Sequence, residues 1–253
     1  METPHVVIIG HPQWEAAASD LLTAGGFAPV VHTGKEVYTN ALIDLHAAAI
    51  LVDGTDPDWQ YWVATPKASP ATRRIPEILV ADRDAQGTGA DHTLPPERLA
   101  AELIGWLAEN ARALRPAEQA ALRAGCADPL PERAQRAIEQ FNAGAYYKQH
   151  DLLEEQWMAE DGPIRDLYRA ILQVGVAFYQ VQRGNTRGAY KMLLRAMQWL
   201  VILPDTCQGV DIARLRADAI ALRQAIEAGE PLETLEGLLT RVHFADEGPH
   251  PRS

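Results

Sequence analysis

The chain has 253 residues with 23 basic and 34 acidic side chains, a formal charge of −11, and is 47% hydrophobic and 23% charged. That is the balance of a globular chain long enough for one large domain or two modest ones, which excludes wholesale disorder and fibrous repeats. The acid excess argues against a nucleic-acid surface, which needs a basic face, and no apolar run approaches the roughly 20 residues that span a bilayer. The N-terminus lacks a basic stretch followed by an apolar run and a cleavage site, so a cytoplasmic protein is expected. Cys126 and Cys207 lie far apart without CxxC spacing, so neither a disulfide framework nor a thiolate zinc cage is expected.

Up to about residue 113, short apolar runs alternate with helical stretches. Residues 5–10 (HVVIIG), 27–32 (FAPVVH), 47–53 (AAAILVD) and 75–81 (IPEILVA) read as strands, and 12–24 as a helix after the first. Continuous apolar runs suit strands buried on both faces, and alternation with helices implies a parallel sheet. Beyond residue 113 the strand pattern stops. Residues 116–125 read as a short helix in a linker, 114–131, that contains two prolines. Helical segments follow at about 132–142, 145–159, 163–183, 186–203 and 211–228, and the tail 248–253 is expected to be mobile. The expectation is two domains, an α/β parallel-sheet domain over 1–113 and an all-α helical bundle over 132–253. The first carries 7 basic and 15 acidic residues, the second part of the chain 16 and 19.

Ligands of open parallel sheets gather at the carboxyl ends of the strands. Those ends carry Gly10-His11, His32, Asp53 and Ala81-Asp82. The runs Ile50-Leu51-Val52-Asp53 and Ile75-Pro76-Glu77-Ile78, followed by Gly89-Ala90-Asp91, resemble a response-regulator receiver domain of flavodoxin-like fold. In that family the aspartate at the end of the third strand accepts a phosphoryl group. Here the acidic pair that would hold Mg²⁺ is replaced by Gly10 and His11, the hydroxyl residue by Ala81, and the lysine by the run Leu94-Pro95-Pro96. Phosphoryl transfer depends on such charges to offset the phosphate oxygens, so Asp53 is expected to cap the next turn and the domain to be a pseudo-receiver.

In the helical half, His150 and Glu154 are four residues apart, with Trp157 three further on and Tyr147 one turn earlier, so all four share a helix face. An imidazole and a carboxylate in that relation suit zinc, manganese or iron, but zinc needs at least a third protein ligand. Gln173, Asp151, Glu155 and His243 are the candidates. The plainer reading is that His150 bonds Glu154 inside the bundle while Trp157 fills core; Gln173 is then their amide partner or a satisfied core group. Arg183, Arg187, Lys191 and Arg195 recur at four-residue steps as one basic stripe, either solvated or facing an anionic partner.

The phrases Phe141-Asn142-x-Gly144 and His150-x-x-x-Glu154-x-x-Trp157, then Ala170-Ile171-Leu172-Gln173 and Tyr179-x-x-x-Arg183-Gly184-Asn185, resemble the DUF309 family over about residues 132–203. The resemblance implies a small all-helical fold and a metal or ligand site on the His/Glu/Trp face, with Asn142, Tyr147, Asp151 and Gln173 in support. The expected function is a regulatory or interaction protein with an unknown protein or small-molecule partner, binding neither nucleic acid nor membrane, with a homodimer in keeping with such modules. The alternatives are a metal-dependent hydrolase using Glu154 or Asp151 as general base, and a working response regulator phosphorylated at Asp53.

Overall fold

The structure, a computed structural model, describes residues 3–82, 84 and 86–245; the tail at 248–253 lies outside the described residues. The chain divides into two compact units, Met1–Ala113 and Leu114–Ser253.

In the first unit the elements run β1 (His5–Ile9), α1 (Glu15–Ala24), β2 (Ala28–His32), α2 (Tyr38–Asp44), β3 (Ala49–Asp53), α3 (Trp59–Ala68), β4 (Glu77–Val80), β5 (His92–Leu94) and α4 (Leu99–Asn110). The five strands form one parallel sheet in the order β2-β1-β3-β4-β5, the flavodoxin-like arrangement. Because side chains alternate along a strand, each apolar run feeds two cores. Val6, Ile8, Leu51, Ile78 and Val80 pack with Leu22 of α1 and Leu103 and Leu107 of α4. Val7, Ile9, Ile50, Val52 and Leu79 pack with Tyr38 and Leu42 of α2 and with Trp62 and Val63 of α3. β2 departs from the expectation of strands buried on both faces, since it is a sheet edge and is only half covered. The crossover from β4 to β5 has no helix among its described residues, and Gly87 and Gly89 turn it with positive φ.

The second unit contains α5 (Pro116–Ala127), α6 (Glu132–Asn142), α7 (Tyr146–Ala159), α8 (Arg165–Gln182), α9 (Thr186–Leu200), α10 (Ile212–Glu227) and α11 (Leu232–Gly237). A hairpin of β6 (Thr206–Cys207) and β7 (Val210–Asp211) precedes α10. Its turn residues, Gln208 and Gly209, both have positive φ. Helix boundaries follow local chemistry: the Asn185 side chain caps α9 by accepting from Gly188 N–H at 3.0 Å, and Asp211 caps α10 by accepting from Arg214 N–H at 2.9 Å. Leu167, Ile171, Val174, Phe178 and Val181 of α8 are fully buried along one stripe.

Two expectations need correction. Cys126 and Cys207 are joined in a disulfide across a separation of 81 residues, which sequence spacing alone does not reveal because the partners meet only in the folded bundle. Disulfides of this kind persist in oxidising compartments and are rare in a reducing cytosol outside hyperthermophiles. The stretch 114–131 is more than a linker: besides the disulfide, Gln208 donates through its N–H to Cys126 O at 2.7 Å and through Nε2 to Gly125 O at 3.1 Å. At the start of α9, Gly188 gives room to the capping amide of Asn185; a Cβ there would fall 2.4 Å from Asn185 Nδ2.

Candidate functional site

At the carboxyl edge of the sheet, Asp53 ends β3 and its carboxylate is engaged locally. Oδ1 accepts from the Thr55 N–H at 2.9 Å, and the Thr55 hydroxyl donates to the same group at 2.9 Å, so Asp53 closes its own turn. Gly54 beside it abuts β4; a Cβ there would stand 2.4 Å from Ala81 Cβ, so this corner has no room for larger side chains. Gly10 follows β1 with φ +74°, and His11 Nδ1 lies 2.9 Å from Glu15 Oε2, directed at its own helix. A cleft of ≈ 610 Å³ opens here, with Glu36, Asp56, Asp58 and Lys35 in its wall. Lys35 is paired with Asp58 and sits 5.2 Å from the Tyr61 ring. The cleft therefore presents acid and a neutralised lysine, an unfavourable reception for a phosphate.

Two titratable groups of this unit, one buried and one half-buried, were not singled out from sequence. Glu77 starts β4 and is fully buried; burial pushes its carboxyl up to about 8, Lys67 at 3.7 Å pulling it down and Asp91 adding to the rise. His46 takes a left-handed turn at φ 46°, and burial, with help from Arg112 and His5, lowers its imidazole to about 3. These act oppositely on folding. From about pH 4.5 to 8 the folded unit keeps a proton on Glu77 that the unfolded chain has released, so stability falls as pH rises through that window. From about pH 6.5 down to 3 the unfolded chain protonates the histidine while folded His46 stays neutral, so stability falls as pH falls.

On α7 the expected face forms, but its members are held differently from the expectation. Gly144, with φ +74°, ends α6 and lets the chain turn into α7. Tyr147 is 64% exposed, its ring 5.5 Å from that of Tyr179. His150 and Glu154 are half-buried and one turn apart, yet His150 Nδ1 lies against Asp151 Oδ1 at 3.2 Å and no hydrogen bond joins it to Glu154. Trp157 does not fill core. Its ring stacks on the Arg169 guanidinium at 4.4 Å, with Arg165 at 5.4 Å, and Arg169 in turn lies 4.2 Å from the Trp199 ring. An arginine of α8 thus sits between indoles of α7 and α9, with Asp166 at 3.2 Å from its Nη1.

The supporting residues divide. Asn142 is spent elsewhere: its Nδ2 donates to Val242 O at 2.9 Å and its Oδ1 accepts from Val242 N–H at 2.8 Å, clasping α6 to the segment after α11. Gln173 is no partner for His150 or Glu154; its Oε1 is buried without a hydrogen bond. The amide that reaches between helices is Gln149, fully buried, with Nε2 donating to Leu172 O at 3.3 Å. The signal for it was Gly175, where a Cβ would fall 2.4 Å from Gln149 Nε2. His243, a candidate third ligand, is half-buried after α11, with its backbone carbonyl accepting from Asp211 N–H at 2.9 Å.

A divalent metal fits this face poorly. Among the described residues no three His, Cys, Asp or Glu side chains gather as a metal site, so His150 and Glu154 have no third ligand. Nor is any helix among the described residues long and apolar enough to cross a membrane.

Residues 134–192 match the model of a family described as a domain of unknown function, DUF309. An uncharacterised protein of Aquifex aeolicus (strain VF5) is 26% identical over 94 residues, which cover 37% of this chain and 28% of that protein. The chain therefore spans little more than a quarter of the length of the curated relative it matches.

Proposed function

We propose that this is a regulatory or interaction protein, pairing a receiver-like unit that carries no phosphoryl group with a DUF309-like helical unit that works through the face of α7 and its neighbours. The observation that carries this reading is the state of Asp53. Its carboxylate is committed to the Thr55 N–H and hydroxyl, and Gly10, His11 and Ala81 stand where metal and phosphate ligands belong. A carboxylate tied to its own turn, without an acidic pair directly after β1 and with the cleft lysine paired to Asp58, lacks the charge that stabilises a transferring phosphoryl group. On the helical side the reading draws support from the Trp157–Arg169–Trp199 stack and exposed Tyr147, aromatic and arginine side chains of the kind that anchor partners.

The test is incubation of the full chain with acetyl phosphate and Mg²⁺, followed by intact mass. The expected spectrum shows no phosphoryl adduct at residue 53. An adduct formed by the wild type and lost in Asp53→Asn overturns the reading and makes the protein a working response regulator.

A further inference from the structure

We infer that the outer face of α9, continued by the arginine–indole stack, docks an acidic segment of another protein. This deepens the interaction reading above and rests on it. The row expected from sequence is broken by Gly184 and Asn185, so Arg183 ends α8 and lies against Tyr179, its Nη1 3.3 Å from the hydroxyl. Arg187, Lys191 and Arg195 remain as a row on α9, and Trp199 extends it by one more turn. Arg187 and Lys191 are exposed and Arg195 is half-buried. None of these three cations makes an ion pair, hydrogen bond or ring contact with a described residue.

That arrangement is unfavourable in isolation, because like charges at four-residue spacing destabilise a helix. Two surface arginines of the same unit do have carboxylates, Arg133 with Glu155 and Arg136 with Glu132, whereas exposed Lys148 and Arg241 stand singly, away from any such row. A helix that leaves three cations uncompensated in a chain of net charge −11 has a face complementary to acid. Successive charges stand about 6 Å apart along the axis, from four residues at ~1.5 Å rise. Carboxylates on an acidic helix recur at the same step, and those on one side of an extended segment at about 6.6 Å.

The end of the row favours protein over nucleic acid. Trp199 and Trp157 each give a ring face to Arg169 at 4.2 and 4.4 Å, so those faces are closed to a base. Three cations form a short track for a phosphate backbone, whereas arginine and tryptophan side chains match the composition of protein interfaces.

The probe is a fluorescein-labelled glutamate-rich peptide, followed by anisotropy against the full chain at low salt, with a labelled single-stranded oligothymidylate of equal charge in a parallel arm. Saturable peptide binding is expected, weakened at least about tenfold by Arg187→Glu/Lys191→Glu/Arg195→Glu and weakening with salt. A control with the same charge change, Arg73→Glu/Arg74→Glu/Arg136→Glu, is expected to stay within about twofold of the wild type by the same argument. The neutral pair Lys191→Gln/Arg195→Gln should fall between, and circular dichroism of every variant should match the wild type. Absence of peptide binding, equal loss in row and control variants, or tighter binding of the oligonucleotide overturns the inference. None of these outcomes bears on phosphorylation of Asp53, so the two readings fail separately.

Discussion

Breaking the Cys126–Cys207 bond should remove a large part of the stability of the helical unit and leave the α/β unit untouched. The bond closes a loop of 81 residues from α5 to the β6–β7 hairpin, enclosing α6 through α9. Restricting an unfolded chain over that length removes about 15 cal/mol/K of entropy, or about 4.5 kcal/mol at 25 °C. Against a typical domain stability of about 5–15 kcal/mol this is a dominant contribution. The folded arrangement should survive reduction, because Gln208 still bonds Cys126 O and Gly125 O, and the Tyr168 hydroxyl still donates to Gln208 Oε1 at 3.0 Å. The loss therefore appears in the unfolding equilibrium, not in the native spectrum. Urea denaturation of the full chain, oxidised against phosphine-reduced and against Cys126→Ser/Cys207→Ser, should shift the transition of the helical unit by about 3–5 kcal/mol. Two thiols titrating in denaturant without reductant, or a shift below about 1 kcal/mol, would refute the argument.

The packing between α7 and α8 supplies a second test. Gly175→Ala should cost about 1–3 kcal/mol by forcing Gln149, and Gly175→Ala/Gln149→Ser should recover part of that in urea melts. Arg169→Met removes the cation between the two indoles and the partner of Asp166; a loss of about 1–3 kcal/mol with a red-shifted tryptophan emission is expected. For the α/β unit, the opposed shifts of His46 and Glu77 give a stability plateau between about pH 4.5 and 6.5 and a decline of about 2 kcal/mol from there to pH 8. Glu77→Gln should abolish the alkaline decline, and His46→Asn, which tolerates the left-handed turn, should abolish the acid one.

The sheet was legible because its code is local. Runs such as Val6-Val7-Ile8-Ile9 and Ile50-Leu51-Val52 can be buried on both faces only in a covered parallel sheet, and the helices between them close the crossovers. The helices of the second unit were legible for the same reason, their breaks written in Gly144, Gly184-Asn185 and Pro204. What escaped is non-local or short. The β6–β7 hairpin has only two residues per strand, too few for an alternation to register, and α11 lies beyond the helices read from the pattern. The disulfide depends on α5 meeting that hairpin, a meeting no cysteine spacing records.

The α7 face shows why a motif can be placed correctly and its chemistry misjudged. Spacing puts Tyr147, His150, Glu154 and Trp157 on one side of a helix, and that geometry is intrinsic to the helix. What Tyr147 and Trp157 do is decided by residues distant in sequence, Tyr179 and Arg169, while His150 turns to Asp151 beside it. Trp157 reads as core until Arg169 is seen between it and Trp199, because an indole satisfies the same periodicity against a leucine or a guanidinium. Gln149 was not singled out from sequence, yet it is the fully buried amide of α7, admitted only because α8 lacks a side chain at Gly175. The same logic bears on the Arg187, Lys191 and Arg195 row: the cations are visible in sequence, but that none of them pairs with a carboxylate among the described residues is a property of the packed bundle.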